Sequence, residues 1–177
     1  DEQIKVTVPF STSRRELISS IQKAVQGAPG GDSVITYINL VETGVAGDSP
    51  LSTSRFFRLL ETHAPASLIR SLNSSFMLGS HNGHVFMIFT NTFFESAFAS
   101  MLDWETQIES DIGPFFTDTP SPVVANKFED NVIRNKDSRV LRDEIGNILF
   151  LYTFPDRERL VIVMNERTLS EVLARLS

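Results

Sequence analysis

The sequence feature that most constrains the fold is a β-hairpin near the middle of the chain. Two apolar-rich segments, residues 76–81 and 84–89, flank the pair Asn82-Gly83. Asn-Gly is the preferred pair for a type I′ turn, because both turn positions need a positive φ. The segment therefore predicts two antiparallel strands joined by a two-residue turn.

The start of the chain predicts a strand, a helix and a second strand. Residues 4–8 alternate apolar and polar side chains, as in a half-buried strand. Ser13 and Glu16 have the spacing of a capping box, and apolar residues then recur at helical spacing up to Gly27. Residues 34–41 are rich in β-formers. A strand–helix–strand order predicts at least one parallel strand pair. Residues 44–50 are expected to form a loop before two short helices.

The longest helix is expected after the hairpin, from Thr92 to Ile112. Thr92 and Glu95 have the spacing of a second capping box, and Gly113-Pro114 marks the end of the helix. The apolar stripe predicts that this helix is the central core element and that it buries Phe94, Phe98 and Met101.

The last third of the chain is rich in β-formers. A polar turn around Lys136-Asp137 and a second turn at residues 155–158 separate the predicted strands, and a final helix begins near Glu166. The prediction is an α+β fold with a mixed, mostly antiparallel sheet and helices packed on it. Its order is an N-terminal βαβ followed by ββα-βββ(β)-α. Residues 1–177 are expected to form a single domain, and a subdomain boundary, if there is one, falls in the linker 117–127.

Composition excludes several classes of function. The chain has 177 residues, a net charge of −6 and no cysteine. The acidic balance argues against nucleic-acid binding, which needs a basic face. The lack of cysteine excludes thiol catalysis and cysteine-ligated metal sites. The usual nucleophile, phosphate-loop and dinucleotide motifs are also missing, so no cofactor and no catalytic residue is predicted.

The hairpin tip is the one histidine constellation in the sequence. His81 and His84 face each other across the predicted turn, with Cβ atoms about 5 Å apart. Two imidazoles at that distance could share a metal ion, although a tetrahedral site needs three or four ligands. One interpretation is a metal-dependent hydrolase that uses this tip and nearby carboxylates. The other is an exposed polar tip without a metal.

Two further groups are candidate binding residues. Glu105 and Glu109 belong to an acidic stretch, residues 103–111, in which no Lys or Arg lies. Like charges at i,i+4 repel, so the stretch is either a solvated face or is compensated. The candidate compensating groups are a partner and the later basic residues Arg134, Lys136, Arg139 and Arg142. Phe115 and Phe116 lie outside any regular apolar stripe, which indicates either core packing or an exposed hydrophobic contact.

Three segments carry a resemblance to a known group of proteins. The segments are APASLIRSL at 64–72, FMLG at 76–79 and FESAFASMLDWE at 94–105. Over the middle third of the chain they resemble bacterial envelope proteins in which one membrane span precedes a soluble domain and no activity is established. The resemblance extends weakly to residues 146–149 and the final strand and helix. It implies a location, not a reaction.

Together these observations predict a non-catalytic interaction or scaffold domain of a membrane-anchored envelope protein. The resemblance implies a membrane anchor upstream of Asp1 and an extracytoplasmic position for the domain. A protein partner is expected, and the oligomeric state stays open. The alternatives are the metal-dependent hydrolase at His81 and His84 and a small-molecule sensor with a pocket between sheet and helix.

Overall fold

The computed structural model describes residues 1–116 and 127–177 of the chain. Within them the helices are α1 (Arg14–Gly27), α2 (Thr53–Leu59), α3 (Ala66–Ser71), α4 (Phe94–Trp104), α5 (Ile108–Ile112) and α6 (Glu166–Leu176). The strands are β1 (Glu2–Pro9), β2 (Ile35–Gly44), β3 (Gly47–Pro50), β4 (Leu72–His81), β5 (His84–Asn91), β6 (Phe128–Ile133), β7 (Lys136–Arg142), β8 (Ile148–Thr153) and β9 (Arg159–Val163). A 3₁₀ turn, Gly113–Phe115, follows α5.

All nine strands of the described residues belong to one sheet. Its order is β1-β2-β4-β5-β9-β8-β7-β6, and β3 pairs with β2 beside that path. The β1–β2 pair is parallel and the other pairs are antiparallel. The predicted α+β class, with a mixed, mostly antiparallel sheet and packed helices, is confirmed. The predicted linker 117–127 lies outside the described residues except for Lys127.

Helices cover both faces of the sheet. Alternate residues of a strand point to opposite faces, so Met87 and Phe86 of β5 enter different cores. The larger core cluster includes Met87 and residues from helices α1 to α5, such as Leu17, Phe56, Leu68, Met101 and Ile112. The smaller core cluster includes Phe86 and residues of α6, Leu169 and Val172.

Two local predictions are confirmed in detail. Ser13 caps α1 in a complete capping box, in which Glu16 accepts a hydrogen bond from the Ser13 backbone N–H at 2.8 Å. Asn82 and Gly83 form the hairpin turn with φ of 49° and 77°. Both features depend on residues within one turn of the chain, which is why the sequence alone predicts them.

The turn between β6 and β7 lies two residues before its predicted place. Ile133 pairs with Lys136, so Arg134 and Asn135 form the turn, with φ of 52° and 59°. Neither residue is glycine. The pairing of the flanking strands therefore decides the turn position, against the weaker local signal.

The predicted continuous helix from Thr92 to Ile112 is wrong. It breaks into α4 and α5, and the predicted capping box at Thr92 is absent because α4 begins after Phe93, which makes no side-chain cap. At the break, Glu105 turns toward Arg139 of β7, which donates to it from two nitrogens at 2.7 Å each. Such tertiary contacts outweigh helix propensity, which is a weak preference.

The predicted buried face of α4 is correct for Met101, which is fully buried, and wrong for Phe98, which is 40% exposed; Phe94 is half-buried. The other buried residues of α4 are Ala97, Ser100 and Trp104. Phe98 lies at the margin of the core, where its ring centroid is 5.9 Å from that of Phe154.

The predicted loop at residues 44–50 contains a strand. β2 continues to Gly44 and turns back as β3, with Gly44 paired to Gly47. All four residues of β3 are exposed. Its sequence, GDSP, has no apolar alternation, so only the pairing with β2 makes it a strand.

Candidate functional site: an open seam in the sheet

The hairpin tip is not the exposed pair of imidazoles that the sequence suggested. His81 and His84 do face each other, but His81 is buried, with 1% exposure. Its Nε2 lies 2.9 Å from the carbonyl oxygen of Asp32 and its Nδ1 3.2 Å from the Thr168 hydroxyl. A carbonyl only accepts, so Nε2 donates to Asp32, and Nδ1 lies within hydrogen-bond distance of the Thr168 hydroxyl. Both ring nitrogens of His81 are therefore occupied by the fold.

His84 is partly exposed beside the start of α6. Partial burial, and then the neighbouring imidazole of His81, lower the pKa of His84 below its ordinary value. The two histidines line a shallow groove of about 520 Å³ with Asn147, Asn165 and Arg167. In the described part of the chain, no three His, Asp or Glu side chains cluster closely enough to hold a metal ion.

Glu105 joins α4 to strands β7 and β8 through hydrogen bonds, and we call this group of contacts the Glu105 node. Besides the two hydrogen bonds from Arg139, it accepts one from the Tyr152 hydroxyl at 2.6 Å. Arg139 also bonds Asp130 at 2.9 Å. The pKa of Tyr152 is raised by burial and by its bond to Glu105, so the phenol stays protonated and donates. Compensation of the acidic stretch by Arg139 is thus confirmed for Glu105.

The remaining predicted site residues lie apart from one another. Glu109 is partly exposed on α5. Phe115 and Phe116 are buried, with ring centroids 6.4 Å from Phe56 and 5.3 Å from Phe150 respectively. Core packing of both phenylalanines is confirmed, so neither offers an exposed contact.

One pair that sequence reasoning missed joins His63 to Asp111. The buried carboxylate of Asp111 accepts from the His63 backbone N–H at 2.7 Å and from the Trp104 indole at 2.6 Å. Its other oxygen lies 2.8 Å from His63 Nδ1. The carboxylate thereby holds an exposed imidazole in one orientation. The two residues are 48 positions apart, and no motif links them in the sequence.

A further opening lies within the sheet, between β2 and β4. β2 and β4 pair at only three positions, and their ladder ends at Tyr37 and Gly79. Beyond these residues the strands diverge around a groove of about 840 Å³, which we call the seam. Its apolar lining includes Ile38, Leu40, Leu51, Phe76, Met77 and Leu78. Its polar lining includes Gln3, Tyr37, Asn39, Ser52, Ser74 and Ser75.

The seam exists because other segments compete for both strands. On the β2 side, Leu51 donates a backbone hydrogen bond to Leu40 at 2.9 Å, continuing the β3 pairing. On the β4 side, the ring of Phe76 enters the larger core, with centroids 4.6 Å from Phe56 and 5.6 Å from Phe89. The two strands are thus held away from each other.

The chemistry of the seam is uncharged. None of its lining residues in the described chain carries a charged side chain, although charged residues make up 21% of the sequence. The floor residues Leu40, Leu51 and Leu78 are buried, and Asn39, Ser75 and Met77 are exposed at the mouth. Such a groove can offer hydrogen bonds and apolar contact to a neutral ligand.

Sequence reasoning did not find the seam because its two walls come from distant segments. The available signal was the polar stretch Asn73-Ser74-Ser75 at the start of β4, which lacks the apolar residues of a fully paired central strand. That signal indicates that this part of β4 is poorly suited to pairing on both sides, but it does not indicate which segments lie beside it.

Comparisons with known proteins assign no family to this arrangement. A scan against protein-family models matches no family, and searches of curated proteins and of solved structures find no match. Across residues 1–116 and 127–177, no helix has the length and apolar character of a membrane span.

Proposed function

We propose that this chain is a non-catalytic interaction domain that binds a protein partner at the seam. The observation that carries the proposal is the seam itself, an uncharged groove of about 840 Å³ that is open to solvent inside an otherwise paired sheet. A folded domain gains hydrogen bonds and buried apolar area by closing such a gap, so a lasting opening favours an external occupant.

The other candidate groups serve the fold. Glu105 is bonded by Arg139 and Tyr152, and both ring nitrogens of His81 are bonded within the domain. His63 keeps one exposed nitrogen, but it does not line any of the grooves described above. These contacts favour an interaction domain over a hydrolase.

A small-molecule sensor is the second candidate. The uncharged polar and apolar lining of the seam would also suit a neutral ligand. The two functions differ in what contacts Met77, which is 42% exposed at the mouth of the seam.

A photo-crosslinking amino acid at Met77 tests the proposal in cells that express the full-length gene. The matched control carries the same amino acid at Val45, which is exposed on the β2–β3 turn away from the seam. We expect a discrete protein adduct at position 77 and none at position 45. Equal labelling at both positions, or none at 77, would contradict the proposal.

We further propose that the domain belongs to a membrane-anchored protein of the bacterial envelope and lies outside the cytoplasm. The support is the resemblance of residues 64–72, 76–79 and 94–105. A tether would raise the effective concentration of partners at the same surface, so a modest interface would suffice. Fractionation of cells that express the complete gene tests this location. Recovery of the full-length product in the soluble cytosolic fraction would contradict it.

A further inference from the structure

We propose that the occupant of the seam is an extended polypeptide segment of the partner, which adds as a strand along β4. This inference rests on the proposed function and specifies how the partner binds. It concerns backbone pairing, which the crosslinking experiment does not address.

The first argument is the direction of the β4 backbone groups. His81 and His84 flank a two-residue turn, a position at which paired residues exchange hydrogen bonds, so within the regular register from Phe76 to His81 every second residue, Gly79 and Met77, also faces β5. By strand alternation the intervening residues, Ser80, Leu78 and Phe76, direct their backbone groups to the other side, where β2 pairs with the end of β4. By the same alternation Phe76 directs its N–H and C=O into the seam, beyond the last paired position.

The second argument is the length and position of this edge. Its regular part runs from Phe76 to Leu78, and three strand residues span about 10 Å; Ser74 and Ser75 continue it where the β4–β5 register shifts. The opposite wall is the segment Pro50-Leu51-Ser52, whose proline has no N–H to donate. An incoming strand is therefore expected to pair with β4 and to contact that wall through side chains.

The third argument is the chemistry above and below the inserted strand. Side chains that point inward would meet the apolar floor of Leu40, Leu51 and Leu78. Side chains that point outward would meet Asn39 and Met77 at the mouth. Because successive strand residues alternate, the segment should alternate apolar residues with small or polar ones. It should also be uncharged at its centre, since an unpaired charge there would lose hydration without gaining a counter-charge.

A display library of random peptides of about ten residues, selected on the folded domain, tests this inference. The enriched peptides should show the alternating, uncharged pattern. On binding, the backbone amide of Phe76 should exchange its hydrogen at least about tenfold more slowly, because it gains a ladder bond. N-methylation of the peptide backbone should weaken binding about tenfold at every second position and little at the positions between.

Two variants of the domain test whether the peptide binds at the seam. Met77→Arg puts a charged side chain at the mouth of the seam and should weaken binding at least about tenfold. Val132→Arg, at an exposed position on β6 outside the seam, should leave binding unchanged. Ser75→Arg replaces Met77→Arg if thermal unfolding shows that the latter destabilises the domain.

Several results would overturn the inference. One is the absence of enriched peptides, and another is enriched peptides whose binding ignores N-methylation and leaves Phe76 exchange unchanged. A concentration-dependent dimer that Met77→Arg abolishes would instead assign the seam to a second copy of this chain. If position 77 crosslinks a protein while the N-methylation series shows no alternation, the interaction function stands and strand addition fails.

Discussion

Glu105→Ala is the substitution that best separates a structural carboxylate from a binding one. The Glu105 side chain is only 13% exposed, and it accepts three hydrogen bonds from Arg139 and Tyr152. Removing it leaves the buried Tyr152 hydroxyl without its acceptor, which costs about 1–3 kcal/mol. Breaking a buried ion pair costs about 3–5 kcal/mol in total. Here the cost should lie at the lower end, because Arg139 is 20% exposed and keeps its ion pair with Asp130. We therefore expect a loss of about 3 kcal/mol in the free energy of unfolding.

Asp130→Ala is the matched control because it removes the other acidic partner of the same arginine. The Asp130 side chain is 91% exposed, so its ion pair with Arg139 is screened by water. The expected loss is below about 1 kcal/mol.

Urea unfolding of both variants at neutral pH, with equal slopes, measures the difference directly. If Glu105→Ala costs no more than Asp130→Ala, the node does not stabilise the fold, and Glu105 becomes a candidate binding carboxylate again. Peptide binding at the seam should be unchanged in either variant, since neither residue lines it.

Three other predictions concern packing and pH. Gly79→Ala should lower the unfolding free energy by about 1–3 kcal/mol or more, because the new Cβ would lie 2.3 Å from the Phe86 ring; a melting temperature equal to that of the wild type would contradict this. Met101→Ala should cost about 2–5 kcal/mol and Phe98→Ala only about 1, since Met101 is fully buried and Phe98 is not; denaturant unfolding in which Phe98→Ala costs as much as Met101→Ala would contradict this and return Phe98 to the buried face. The lowered pKa of His84 means that the unfolded chain binds the proton more tightly, so this residue should make stability fall as pH drops below about 6.5. His84→Gln should flatten that fall, and an unchanged pH profile of the melting temperature would refute the assignment.

Much of the local structure is readable from the sequence. The capping box at Ser13, the Asn82-Gly83 turn and the start of α6 at Glu166 each depend on a few adjacent residues. The α+β class and the mostly antiparallel sheet follow from the order of such units. Local propensity and the apolar period act within one turn or one strand, so no distant partner is needed to predict them.

The errors lie where distant residues decide a local structure. The helix break after Trp104 accompanies the contact of Glu105 with Arg139, 34 positions away. The position of the β6–β7 turn follows strand register and not turn composition. In each case a tertiary hydrogen bond or pairing outweighs a weak local preference.

The candidate site is the feature that the sequence alone determines least. The seam depends on where the β2–β4 ladder stops, and that point depends on Leu51 pairing with Leu40 and on Phe76 packing against Phe56. The sequence supplies each of these residues with an ordinary strand or core role. Only the folded chain brings β3 and α2 close to this part of the sheet. There the segment after β3 takes the edge of β2 that β4 would otherwise use, and α2 holds β4 away from β2 through Phe56 and Phe76. The edge of β4 is left open because the Leu51–Leu40 pairing and the Phe76–Phe56 packing keep β2 and β4 farther apart than the spacing of a ladder.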